Sequence, residues 1–169
     1  AFRKKMAEKN FKLTSDYDLS IFKWFNKKEK KIRAEKIIIK YGENPNQKAY
    51  FVKNSNSNIF SSQISGKNIG YNNILDISEG LSCLNEFLEP TCVIVNHNNP
   101  CGVASSKKIN TAYLKALQSD PVSAFGGVVL LNKKVDESLA KKISKKFIEV
   151  LVAPEFDKKA LSLLKTKNK

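Results

Sequence analysis

Three short segments concentrate the side chains that can bind a ligand or move a proton. They are Lys40-Tyr41-Gly42-Glu43-Asn44-Pro45-Asn46-Gln47, Asn96-His97-Asn98-Asn99-Pro100-Cys101-Gly102 and Asp120-Pro121-Val122-Ser123-Ala124-Phe125-Gly126-Gly127. Each follows an apolar stretch and is rich in the Gly, Pro, Asn and Asp residues that turns use. His97 is the only histidine in the chain, and imidazole is the side chain that ordinarily exchanges a proton near neutral pH. A lone loop histidine is open to two readings, a general base or a hydrogen-bonding anchor. Cys101 is likewise either a nucleophile beside His97 or a small filler in an Asn-Pro-Cys-Gly turn, and the turn is the plainer reading.

Sharper chemistries fail on the same residues. A zinc deaminase needs H-x-E followed by P-C-x-x-C, whereas His97-Asn98-Asn99 lacks the glutamate and Pro100-Cys101-Gly102-Val103-Ala104 lacks the second cysteine. Gly126-Gly127 is followed by no Gly-Lys-Ser/Thr, and no G-x-G-x-x-G occurs, so neither a P-loop nor a dinucleotide fingerprint is present. Cys83, Cys92 and Cys101 form no CxxC pair, which disfavours a disulfide framework and a structural zinc and favours a reducing compartment. No metal is expected.

The elements that must position these segments follow from periodicity. With 169 residues, 41% hydrophobic and 27% charged, and a mean hydropathy of -0.37, the chain has the composition of one soluble globular domain. No apolar run approaches the length of a membrane span, and no secretory h-region follows Ala1, so a soluble, cytoplasmic protein without a membrane partner is expected. A start at Ala1 rather than Met leads us to expect a fragment. The capping-box form Ser15-Asp16-Tyr17-Asp18, followed by Ile21, Trp24 and Phe25, predicts an amphipathic helix over 15–26 whose apolar face needs a partner. The charge run at residues 26–31 reads as a linker, with a boundary near residue 30.

Beyond it, the apolar runs 37–39, 49–52, 92–95, 128–131 and 150–152 predict strands. Four helical faces lie between or after them: Ile74, Leu75, Leu81, Leu84 and Leu88; Tyr113, Leu114 and Leu117; Leu139, Ile143 and Phe147; Leu161 and Leu164. Strands that are apolar throughout, separated by helices, predict an α/β fold with a mostly parallel sheet covered on both faces. In such sheets ligands sit beyond the carboxyl ends of strands, which is where residues 96–102 leave the 92–95 run. Residues 54–58 read as a polar loop.

Thirty Lys and Arg against sixteen Asp and Glu give a net charge of +14, which raises nucleic acid as a partner. The distribution argues otherwise. Residues 1–36 carry twelve basic and five acidic side chains, residues 133–169 eleven and five, and the ninety-six between only seven and six. Only Arg3 and Arg33 are arginines, whereas base and phosphate readout leans on the planar guanidinium fork. A solvated lysine surface is the better account, and a basic nucleic-acid-binding module is the alternative.

The three loops, together with Gly66-Lys67, Tyr71-Asn72-Asn73-Ile74-Leu75-Asp76 and Phe147-Ile148-Glu149-Val150-Leu151-Val152-Ala153-Pro154, occur in the order and spacing of one family. From about residue 36 to 165 the sequence resembles the bifunctional purine biosynthesis enzymes that join an AICAR formyltransferase to an IMP cyclohydrolase. The resemblance implies that residues 1–30 are the last helices of a cyclohydrolase domain of methylglyoxal-synthase-like fold, with its linker. It implies that residues 31–169 open a transformylase domain whose subdomains are cytidine-deaminase-like without the zinc.

The reaction it implies moves the formyl group of 10-formyltetrahydrofolate to the 5-amino group of AICAR (5-aminoimidazole-4-carboxamide ribonucleotide), and the cyclohydrolase then closes the ring to IMP. That amine is conjugated into the imidazole and is a weak nucleophile. It needs a base for its proton, and the developing oxyanion needs a donor or a cation. By resemblance His97 is the general base and contacts the nucleotide, Lys40 and Tyr41 bind AICAR, Gly126 offers a backbone contact and Glu149 an acidic one. Asn96 stands where the family usually has the catalytic Lys. Its neutral amide can donate a hydrogen bond but supplies no positive charge. Lys40 replaces an Arg and Asn46 a His, and a lysine meets phosphate as a point charge without the bidentate fork. The resemblance further implies folate-binding residues mainly beyond this chain and active sites shared across a homodimer. A degenerate paralogue that binds nucleotide without catalysis is a further alternative.

Overall fold

A computed structural model describes residues 2–26, 36–52 and 62–166. Contacts divide the chain into two units, Ala1–Glu35 and Lys36–Lys169. In the first, α1 (Phe2–Phe25) is one continuous helix with no buried residue. The expected start at residue 15 is therefore corrected, and Ser15 lies mid-helix rather than at a cap. Residues 3–13 include Arg3, Lys4, Lys5, Met6, Ala7, Glu8, Lys9, Lys12 and Leu13, all good helix formers. The hydroxyls that favour a cap elsewhere turn back onto the preceding turn here: Thr14 Oγ1 donates to the Phe11 carbonyl at 3.1 Å and Ser20 Oγ to that of Asp16 at 2.8 Å. Of the predicted linker at 26–31 only Asn26 is described, just past α1, with its amide donating to the Phe22 carbonyl at 3.0 Å; residues 27–31 and the polar loop at 54–58 lie outside the described residues.

The second unit opens with a two-stranded antiparallel ribbon of β1 (Lys36–Ile38) and β2 (Tyr50–Val52). There follow α2 (Tyr71–Leu84), β3 (Thr91–Asn96), β4 (Asn99–Ser105), α3 (Ile109–Ser119), β5 (Val128–Leu131), α4 (Glu137–Ile143), β6 (Val150–Val152) and α5 (Lys158–Thr166). The strands β3 to β6 form one sheet in the order β4-β3-β5-β6. It is mixed, which corrects the expected mostly parallel sheet. β3 is antiparallel to both β4 and β5, and only β5 and β6 pair in parallel. Helices α3 and α4 return the chain so that β4, β5 and β6 share one direction, while β3, joined to β4 by a two-residue turn, runs the other way between them.

The expectation of an α/β fold with cover on both faces stands. Along β3 and β5, alternate side chains serve opposite faces. Cys92, Ile94, Val129 and Leu131 pack with Tyr113, Ala116, Leu139, Ile143 and Ala160 from α3, α4 and α5. Val93, Val95, Val128 and Leu130 pack with Ile77 and Leu84 of α2. This double cover is why the strands read as continuous apolar runs. Two predicted helical faces end early: Leu88 lies past α2 and is exposed, and Phe147 lies past α4, where its exposed ring meets that of Phe125 at 5.3 Å.

Candidate functional site

β3 and β4 are joined by a two-residue turn. Asn96 pairs with Asn99, leaving only His97 and Asn98 between the strands. Their φ angles are 52° and 64°, the two positive values of a type I′ hairpin. Asn and His enter this left-handed region more readily than other side chains. The segment 96–102 is thus not a loop throughout, since Asn99, Pro100, Cys101 and Gly102 belong to β4. Proline is accommodated because β4 is an edge strand. Val95 opposes Pro100 and Ile94 opposes Gly102, so Cys101 is the extra residue of a β-bulge. Its Sγ reaches the Ile94 carbonyl at 3.5 Å, and burial pushes its thiol up, away from the thiolate a nucleophile needs. That favours the filler reading.

His97 is exposed, and its imidazole makes no hydrogen bond among the described residues. Its backbone is fixed instead. Asn99 Nδ2 donates to the His97 carbonyl at 3.1 Å, and the next amide, Asn98 N–H, donates to Oδ1 of Asp76 on α2 at 2.7 Å. Asn96 is half-buried and donates from Nδ2 to the Ser123 carbonyl at 2.9 Å. Ser123 belongs to a turn organised by Asp120, whose carboxylate accepts from the Ser123 hydroxyl at 2.6 Å, the Ser123 amide at 2.9 Å and the Val122 amide at 3.1 Å. Those donors, the Ser123 hydroxyl foremost, draw the Asp120 carboxyl below its ordinary value.

Gly126 closes that turn at φ 74° and donates to the Phe147 carbonyl at 3.0 Å. A Cβ on Gly127 would sit 2.8 Å from the Val95 carbonyl oxygen, so the loop presses directly on the end of β3. The Glu149 amide donates to the Gly127 carbonyl at 3.1 Å, and the exposed Glu149 carboxylate accepts from Asn73 Nδ2 at 2.9 Å. Lys40 and Tyr41 join this edge through the start of α2. The Lys40 amide donates to the Ile69 carbonyl, and the Tyr71 amide to that of Tyr41, at 3.1 and 3.3 Å. A Cβ on Gly70 would come within 2.9 Å of the Tyr41 ring. Lys40 Nζ lies 5.3 Å from the centre of that ring, within cation–π range.

One rim therefore gathers Asn96, His97, Gly126 and Glu149, with Lys40 and Tyr41 tied to the first turn of α2 beside them. It is the carboxyl end of β3, as expected, but the amino ends of β4, β5 and β6, because β3 runs against the others. The rim presents an imidazole, a carboxylate and an ammonium to solvent. Asn73, Asp76 and Ser123 were singled out only as motif members, yet each makes a contact that fixes the rim. The signal for Asp76 is a carboxylate one turn before Gly80 and flanking Ile77, on the side of α2 that also buries Gly80 and Leu84. Among the described residues no group of three or more His, Cys, Asp or Glu is placed to hold a metal ion, and no helix is long and apolar enough to cross a membrane.

The family model described as AICARFT/IMPCHase bienzyme matches residues 1–169. Among curated relatives, a "Bifunctional purine biosynthesis protein PurH" of Caldicellulosiruptor bescii is 46% identical over 177 residues, covering 96% of this chain and 34% of its own. Proteins of the same description from Lactobacillus delbrueckii subsp. bulgaricus and Buchnera aphidicola subsp. Schizaphis graminum are 40% and 42% identical, covering 99% and 96% of this chain and 35% of their own lengths. The chain spans about a third of the length of the curated relatives it matches. With the whole of its length matched by one family model and its motifs gathered on one rim, the chain belongs to the AICARFT/IMPCHase bienzyme family.

Proposed function

We propose that this chain supplies part of the AICAR site of a purine-biosynthetic transformylase. The observation that carries the reading is the convergence of five separated motifs on one rim, within a chain of that family. Residues 31–169 open the transformylase domain and residues 1–30 close a cyclohydrolase domain. In the complete polypeptide, a cytoplasmic homodimer, formyl transfer to AICAR gives FAICAR, and cyclisation gives IMP.

10-Formyltetrahydrofolate is the co-substrate and supplies an activated formyl group; the chemistry needs no metal. His97 accepts the proton that the 5-amino group loses as its nitrogen bonds to the formyl carbon, and the bond from that carbon to folate N10 breaks with a proton passing to N10. An exposed imidazole with no hydrogen-bond partner among the described residues is free to do this. Lys40 and Tyr41 bind the nucleotide, with Lys40 a point charge for phosphate. Gly126 offers a backbone contact made possible by its left-handed φ, and Glu149, steadied by Asn73, accepts from the substrate's polar edge. Asn96 contributes a neutral donor in place of a cation.

The test is formyl transfer by the complete polypeptide, with FAICAR and IMP followed chromatographically from AICAR and 10-formyltetrahydrofolate. Formation of both products is expected, and none from residues 1–169 alone. Nucleotide binding without turnover by the complete polypeptide would replace this reading with that of a degenerate paralogue.

A further inference from the structure

We propose that Asp76 is a positioning residue for His97, fixing the peptide plane from which the imidazole projects. The inference rests on the reading of His97 as general base. The His97 carbonyl and the Asn98 amide are the two polar groups of a single peptide bond. The first accepts from Asn99 Nδ2 and the second donates to Asp76 Oδ1 at 2.7 Å. That short contact to a carboxylate is a charge-assisted hydrogen bond, stronger than one between neutral groups.

The plane needs fixing. Type I′ and type II′ turns share their flanking strands and differ by a rotation of the central peptide. The rotated form puts the first turn residue in a region that only glycine occupies readily. His97 and Asn98 are both non-glycine residues with positive φ, a conformation that Asn and His enter more readily than other side chains but that still costs energy and is held by its surroundings. Asp76 provides that constraint from a rigid base. It is 8% exposed, in the middle of α2, and its neighbour Ile77 packs against Val93 and Val95 of the strand that leads into the turn. A buried carboxylate is unfavourable unless donors hydrogen-bond to it, and among the described residues the Asn98 amide is a donor that does so.

The test compares Asp76→Asn, Asp76→Ala, and Asp76→Ala combined with Asn98→Gly, because glycine takes the left-handed conformation unaided. In this chain, proton exchange of the Asn98 amide should accelerate about tenfold or more in Asp76→Ala, with the amides of Val93 and Leu130 unchanged. The imidazole signal, single because the chain has one histidine, should broaden or split. Asn98→Gly should restore one sharp signal, and Asp76→Asn, which keeps an oxygen acceptor, should fall between.

In the complete polypeptide, Asp76→Ala should lower kcat for formyl transfer about tenfold to 100-fold with little change in KM for 10-formyltetrahydrofolate, and Asn98→Gly should recover most of the loss. An indifferent Asp76→Ala beside an inactive His97→Ala would overturn this inference alone. So would accelerated exchange at Val93 and Leu130 without rescue, the mark of a merely structural role. Full transfer by His97→Ala would overturn the general-base reading and, with it, the catalytic part assigned to Asp76.

Discussion

The Asn96 carboxamide donates from Nδ2 to the Ser123 carbonyl across 2.9 Å, tying the last residue of β3 to the turn that leads into β5. One of the two Nδ2 hydrogens of the residue before His97 is therefore committed to the scaffold, the other is left to donate, and no cation stands at that position. A lysine there would lose this tie but bring an ammonium to the rim.

Replacing Asn96 by Lys in the complete polypeptide should accordingly raise turnover, since one well-placed oxyanion donor is worth about 10²-fold to 10³-fold in rate. Steady-state formyl transfer checks this. An unchanged kcat would mean that the oxyanion is already stabilised by another group.

The Asp120 turn gives a pH dependence of fixed sign. Its carboxyl lies below the ordinary range in the folded chain because Ser123 and Val122 donate to it. A lowered folded value means that the stabilisation is complete above the unfolded carboxylate's value, about 4, and is lost as pH falls through the lower folded value. Amide exchange at Ser123, taken relative to the intrinsic rate at each pH, should therefore rise steeply only at acid pH in the native chain. In Asp120→Asn it should be raised already at neutral pH.

Gly102 lies where α3 crosses β4, and a Cβ there would collide with the Ala116 carbonyl oxygen, a backbone atom that cannot swing aside. Gly102→Ala should destabilise the chain by about 1–3 kcal/mol, read as a lower urea midpoint. An unchanged midpoint would show that α3 rides further from the sheet.

Tyr113 is 1% exposed, its hydroxyl has no hydrogen-bond partner among the described residues, and burial pushes its phenol up to about 12. Removing a buried, unpartnered polar group relieves its desolvation. Tyr113→Phe should leave the melting temperature unchanged or raise it, by up to about 1 kcal/mol of added stability. A clear fall would reveal a partner for the hydroxyl.

Much of this was legible in the sequence, and the misses have physical causes. The runs 92–95 and 128–131 announced buried strands because both faces are covered, but coverage is blind to direction, so β3 running against its neighbours left no trace. What betrays it is the turn, and Asn96-His97-Asn98-Asn99 lacks the glycine that usually marks a type I′ hairpin. Pro100 concealed β4 for a related reason: proline argues against a central strand and says nothing against an edge. Ser15 misled because a capping-box pattern does not reveal whether good helix formers precede it. Of the candidate site, His97, Gly126 and Glu149 were found by motif. Asp76, by contrast, acts across twenty-two residues of sequence, a pairing visible only when α2 lies against β3.

The central claim is that His97 takes the proton from the amine of AICAR. Single-turnover formyl transfer by the complete polypeptide, native against His97→Ala, tests it with the least interference from binding and product release. The account predicts a rate lowered about 10²-fold to 10⁴-fold, as for loss of a general base, with the nucleotide still bound. Transfer at the native rate in His97→Ala would contradict it.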